Sequence, residues 1–263
     1  MAMVLKPFKS SLLTMVLSTI TLLGNAQEPS VDLKLNTLSE QFLSNIKNKT
    51  STNDIRSRLY GLSLEQLEKS LVTDNQKLAF WINIYNAYIQ VILTENPDLY
   101  KDRGSFFKKE QVPIAGRLLS FDKIEHGIIR RSQISIGLGL VGKWFPDDFE
   151  KRLRVQKRNY HIHFALNCGA KDCPPVAIYT VARLKDQFDE GTEKFLKRTS
   201  TYNAADKTVA VTPLFSWFRG DFGSTSGIIE ILRKYKIIPA TGDIDISYTD
   251  YDWTLDPGNW IDL

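Results

Sequence analysis

Hydrophobic residues three and four positions apart recur over residues 31–71, through LNTLSEQFLSNIKN and SLEQLEKSLV, and predict a run of helices. Ser63 is placed to cap the second of these, and Glu65 with Lys69 makes an i,i+4 pair on its surface. The next stretch, DNQKLAFWINIYNAYIQVIL, begins at Asp74 as its expected cap and is apolar almost all round. A helix with no polar stripe has no face to give to water, so this one is expected at the centre of the fold. Asn96-Pro97 ends it. Within it Asn83 and Asn86 lie one turn apart, and buried amides must find partners. They either bond to neighbouring backbone or line a site built against the helix.

Farther along, QVPIAG and RLLSF predict a hairpin turning at Ala115-Gly116, and Ser120 caps a helix through DKIEHGIIR. The glycine-spaced stretch IGLGLVGKWFPDDF reads as a loop. Residues 160–166 are apolar and aromatic enough for a buried strand, and residues 181–198 form an amphipathic helix. A strand at 207–211, a turn or short helix in LFSWFRGDFG, a helix at 228–235 and a strand at 245–251 complete the pattern. Helices and strands alternate irregularly, with no internal repeat and no nucleotide-binding glycine fingerprint. The economical architecture is a single α+β domain, its buried central helix packed on a small, mainly antiparallel sheet.

The N-terminus changes the setting. Lys6 and Lys9 precede the apolar run SLLTMVLSTITLLG, and Gly24 and Ala26 then occupy the −3 and −1 positions of a cut before Gln27. That is the pattern of a secretory signal peptide. Residues 1–26 are therefore expected to be removed. Residues 27–74 form an N-terminal helical segment, and 75–263 a domain packed with that segment as one globular unit. No later stretch reaches the ~18 apolar residues of a spanning helix, so no stable membrane insertion is expected after cleavage. The protein is expected to be exported, to a periplasm or outside the cell.

Without Lys6 and Lys9 the chain holds 32 basic against 30 acidic residues, scattered rather than gathered in a stripe. This balance gives no electrostatic case for a nucleic-acid partner. Export into an oxidising compartment favours disulfides, and the chain has two cysteines. Both fall in HIHFALNCGAKDCPPV, together with two of the three histidines.

Five segments, FWINIYNAY, LSFDKIEHGIIR, HFALNCGAKDCPP, LFSWFRGDFG and YDWTLD, follow one another in an order that resembles the domain of unknown function 547 family. The resemblance runs from about Asn75 to the C-terminus. It implies a relation to papain-like or transglutaminase-like cysteine hydrolases with rearranged topology. It also implies cleavage of a small γ-glutamyl peptide such as glutathione. No cofactor or metal is expected.

The residues themselves leave several readings open. A thiol nucleophile needs a base and donors for the oxyanion. Cys168 stands just past the expected strand that carries His163, and the Gly169 N–H is a candidate oxyanion donor. His126 is the alternative base. Its neighbour Glu125 points about 100° away on a helix, so it acts from another face or pairs with Arg130. Glu125 or Asn86 would orient the imidazole. Cys173, just before Pro174-Pro175, rivals Cys168 if a helix starts there. A Cys168–Cys173 disulfide would instead abolish the nucleophile unless reduced, leaving a non-catalytic exported binding domain. Zinc is a further reading, although H-x-H-x4-C-x4-C is not a usual spacing. His161 reads as structural. The leading expectation is a cysteine-dependent hydrolase or transferase acting on an amide or small peptide, with Cys168, His163, His126, Glu125 and Cys173 as candidate catalytic residues.

Overall fold

The computed structural model describes residues 34–135 and 137–263, so the expected signal peptide lies outside the described residues. Three short helices open the described chain: α1 (Leu35–Lys47), α2 (Asn53–Tyr60) and α3 (Leu64–Ser70). Ser63 caps α3 as its sequence predicts, with Gln66 completing a reciprocal capping box. Glu65, however, pairs with Arg152 at 3.2 Å and not with Lys69. A guanidinium offering several donors competes better for the carboxylate than a flexible ammonium one turn away.

Helix α4 (Asp74–Glu95) is buried on nearly every side, as its lack of a polar stripe requires. Thr73, not Asp74, is its N-cap, in a second capping box with Gln76. Asp74 reaches out instead to accept from the backbone N–H groups of Gln156 and Lys157, at 2.7 and 2.9 Å. Helix α1 lies along α4, with Phe42 edge-on to Tyr88 at 5.1 Å. A 3-10 turn (Pro97–Asp102) and α5 (Arg103–Lys108) lead to the hairpin β1 (Val112–Ile114) and β2 (Arg117–Leu119). Ala115 and Gly116 both take positive φ at its turn, and the Tyr88 hydroxyl donates to the Pro113 carbonyl, tying the hairpin to α4.

The helix expected after Ser120 forms, and the Ser120 hydroxyl accepts from the Lys123 N–H at 3.0 Å. Over Lys123–Ile129 it widens to a π-helix, with the Arg130 N–H bonding to the Glu125 carbonyl at 2.8 Å. Such a bulge resets which side chains share a face and is frequent at functional sites. The glycine-spaced loop follows, then α6 (Asp148–Leu153).

Residues 160–166 do not form the expected strand. Tyr160–Phe164 is a 3-10 helix, begun by the Asn159 side chain, which accepts from the His161 N–H at 3.1 Å. The backbone beyond it is satisfied by a side chain in place of a neighbouring strand. Asn86 donates to the Ala165 carbonyl at 2.9 Å and accepts from the Asn167 N–H at 2.8 Å. Apolar composition alone does not separate a buried strand from a buried helical turn.

Helix α7 (Leu184–Thr199) leads to a three-stranded sheet of order β3-β4-β5: Thr201–Asn203, Thr208–Val211 and Asp245–Tyr248. β3 and β4 are antiparallel, with Tyr202 opposite Val209; β4 and β5 are parallel, joined through α8 (Leu214–Trp217) and α9 (Ser224–Lys234). Two hydrophobic clusters result. The first surrounds α4; the second gathers Phe164, Phe195, Val209, Phe215, Phe222 and Leu232 around the sheet. The C-terminal tail straps the cysteine segment, with the Lys171 N–H bonding to the Thr254 carbonyl at 2.8 Å and the Val176 N–H to that of Asn259 at 2.7 Å.

Candidate active site

Where the two clusters meet, a cleft of about 240 Å³ opens, lined by Glu125, His126, His163, Cys168 and Cys173. All five candidate residues thus share one wall system. Tyr85, Asp122, Trp217, Phe218, Tyr251 and Trp253 also line it.

Cys168 and Cys173 are joined as a disulfide, with Cα atoms 6.1 Å apart. The Tyr251 hydroxyl donates to the Cys173 Sγ at 3.2 Å and lies 3.9 Å from the Cys168 Sγ. Among the described residues no hydrogen bond links either sulfur to a histidine. No helix begins at Pro174-Pro175, so Cys173 gains nothing from a helix N-terminus. The Gly169 N–H is occupied too, donating to the Asn167 Oδ1 at 3.0 Å, and the oxyanion role expected of it is not supported. Gly169 has φ +91°, and a Cβ there would stand 2.7 Å from a Leu93 methyl. It is required for backbone shape and close packing. Asn86, considered as an imidazole orienter, holds backbone instead.

Asp221, from the RGDFG turn, organises the site. It accepts from His163 Nε2 at 2.8 Å, Arg130 Nε at 2.7 Å and Arg158 Nη1 at 2.8 Å. Burial acts to raise its pKa, but the His163 hydrogen bond and the Arg130 charge outweigh it and hold the carboxyl down at about 2. An ionised carboxylate only accepts, so His163 carries its proton on Nε2 and presents Nδ1 as a lone pair. Burial, with the Arg130 charge, keeps that imidazole neutral by lowering its pKa. Phe218 stacks on the ring at 4.0 Å and fixes its plane.

His126 has the same tautomer, but its lone pair is already occupied. Arg130 Nη1 can only donate, and it reaches His126 Nδ1 at 2.6 Å. The proton of His126 therefore sits on Nε2, 3.8 Å from Asp122 Oδ1. Burial and the Arg130 charge push its pKa down to about 4. His163 is thus the available base and His126 a neutral donor.

Glu125 does not form an ion pair with Arg130. Its partner is the Tyr85 hydroxyl, which donates to Oε2 at 3.4 Å, and burial raises the pKa of the carboxyl. His161 lies apart from the cleft, stacked on Tyr160 at 4.0 Å and bonded to Asn159 and the Tyr235 hydroxyl. The four residues of the zinc reading are not brought together, and no cluster of three potential metal ligands occurs among the described residues.

Residues 69–196 match the family model described as protein of unknown function, DUF547. The chain is a member of that family. No curated protein and no solved structure matches it. The matched part of the DUF547 protein holds the cysteines, both cleft histidines and Glu125. Asp221, Trp217, Tyr251 and Trp253 lie beyond it. These four residues fall in the segments LFSWFRGDFG and YDWTLD, whose aromatic residues read as core from sequence alone. An aspartate set among apolar and aromatic residues in SWFRGDFG was the one local signal for Asp221, since a carboxylate in such surroundings needs a buried cationic partner.

Proposed function

We propose that this DUF547 protein is an exported cysteine-dependent hydrolase or transferase that acts on a small amide once the Cys168–Cys173 disulfide is reduced. The supporting observation is the convergence of Cys168 with a neutral His163, whose tautomer is fixed by Asp221, on one cleft. Reduction gives two thiols. His163 Nδ1 takes the Cys168 proton, and the thiolate adds to the amide carbonyl. The imidazolium then returns the proton to the leaving nitrogen as the C–N bond breaks, leaving a thioester on Cys168. Water, or an acceptor amine, attacks that thioester while His163 accepts its proton, and the thiol leaves with it. His126 serves as a neutral hydrogen-bond donor through Nε2. The resemblance to γ-glutamyl-cleaving cysteine hydrolases, which rests on sequence motifs, supplies the first substrates to try.

The test is turnover of glutathione and a γ-glutamyl anilide by the protein before and after reduction with a phosphine. Activity is expected only after reduction and should vanish in Cys168→Ala with the fold retained. Turnover by that variant would sink the assignment. The closed disulfide favours one second reading, an exported binding domain with the disulfide as a clamp. Ligand binding by the oxidised protein, with no turnover in either state, would select it.

A further inference from the structure

The charge of the cleft lining is one-sided. Asp122 and Glu125 line it, and no lysine or arginine does among the described residues. The cations nearby are committed elsewhere: Lys143 pairs with Glu150 at 2.6 Å, and Arg130 is bound to Asp221 and His126. Arg103, outside the lining, lies over the Tyr100 and Trp253 rings at 5.6 and 4.7 Å and leaves Trp217 and Tyr251 as the rings open to a ligand. Lys108 acts on Asp122 from outside the lining. Both cleft histidines are neutral, for the reasons given above. His163, its side chain 1% exposed, lines the cleft with no partner at Nδ1 among the described residues. That places a third acceptor beside the two carboxyls.

The rest of the lining is aromatic. Trp217 and Trp253 stack at 5.4 Å, and Tyr251 packs against both, at 5.0 and 4.6 Å. Asp122 and Glu125 are only partly exposed, their side chains 29% and 15%, and this partial burial raises the pKa of each. A cation would relieve both carboxyls, and ring faces attract cations as well. A carboxylate or phosphate would meet repulsion without a lining cation to offset it.

We propose that the cleft binds its substrate through a cationic group, an ammonium or guanidinium, held by Asp122 and Glu125 against the aromatic rings. The inference rests on reading the cleft as the substrate site, but it does not need the sulfur chemistry.

Titration of tryptophan fluorescence in the oxidised, full-chain protein at neutral pH tests it with three probes of similar shape: phenethylammonium, 2-phenylethanol and phenylacetate. The amine should bind at least about tenfold more tightly than the alcohol, and the carboxylate weakest of all. The Asp122→Asn, Glu125→Gln pair of substitutions should abolish the preference for amine while leaving alcohol binding in place. If that double variant misfolds, as circular dichroism would show, Asp122→Asn alone should reduce the preference. Equal or tighter binding of the alcohol or carboxylate overturns the proposal, and so does absence of binding by all three. Because the oxidised protein is used, none of these outcomes depends on turnover. Failure of the hydrolase reading would show separately, in the Cys168→Ala assay.

Discussion

The cleft is built by two stretches of chain that contribute different things. Residues 69–196, the family-matched part, bring the disulfide, both imidazoles and Glu125. The stretch beyond brings Asp221 and the rings of Trp217, Tyr251 and Trp253, and with them the electrostatics and the walls. Neither stretch defines the chemistry of its own groups. The proton position on His163 is set by a carboxylate 58 residues away, while that carboxylate is kept ionised by a histidine and an arginine from the first stretch. A list of reactive residues from the first stretch alone would have left the base unassigned.

The sharpest way to break this interdependence is to remove Asp221. Its side chain is 3% exposed, and that of Arg130 is 1% exposed with one amino group already lacking a partner. Asp221→Ala would leave the buried guanidinium without its counter-ion, at a cost of about 3–5 kcal/mol in urea unfolding. A loss under about 1 kcal/mol would mean that the Asp221 ion pairs contribute little to holding the two stretches together. Asn86 offers the complementary test from the first stretch. Asn86→Ala orphans the Ala165 carbonyl and the Asn167 N–H, each worth about 1–3 kcal/mol when buried without a partner. It should also loosen the cysteine segment, read out as faster amide exchange around Asn167.

The contrast also explains what could be read directly from the sequence. Helix α4 was legible because its composition admits only burial, and Ser63 and Ser120 because capping is local chemistry. The five candidate residues that line the cleft were legible because short motifs carry them. Whether residues 160–166 would extend or coil depended on Asn86, some eighty positions away, which supplies the bonds a strand would have required. The π-helical widening at Lys123–Ile129 leaves no periodic mark in so short a segment. The choice between His126 and His163 depended on which of Arg130 and Asp221 touches which ring nitrogen, a fact of three-dimensional placement.

The disulfide sharpens the comparison further, because both of its ends lie in the first stretch while Tyr251 of the second bonds to it. Closing a loop of 5 residues restricts the unfolded chain modestly, by on the order of 2 kcal/mol. Reduction should therefore lower stability by about that much without unfolding the protein, a requirement for any dithiol-dependent activity. Thermal unfolding with and without a phosphine checks this. Unfolding on reduction would make the bond structural and would count against the hydrolase.

The mildest test compares a histidine at the cleft with one away from it. His126 and His161 both have pKa values lowered to about 4, in each case chiefly by burial, with the Arg130 and Lys234 charges adding to it. An unfolded histidine binds its proton near pH 6.5, so between about 6.5 and 4 the unfolded state holds protons that the folded state refuses. Stability should therefore fall as pH is lowered through that window, by about 1.4 kcal/mol per pH unit for each such histidine. Asp221 acts in the same direction but lower: its carboxyl, depressed to about 2, gives up its contribution only as pH drops from the ordinary aspartate range towards 2. His161→Phe should flatten the slope between pH 6 and 5 by one proton and leave amide turnover by the reduced protein unchanged, since His161 lies outside the cleft. His126→Phe should flatten the slope equally and also lower kcat. If the two variants flatten the slope alike but neither changes kcat, His126 is as structural as His161, and the donor role assigned to it is wrong.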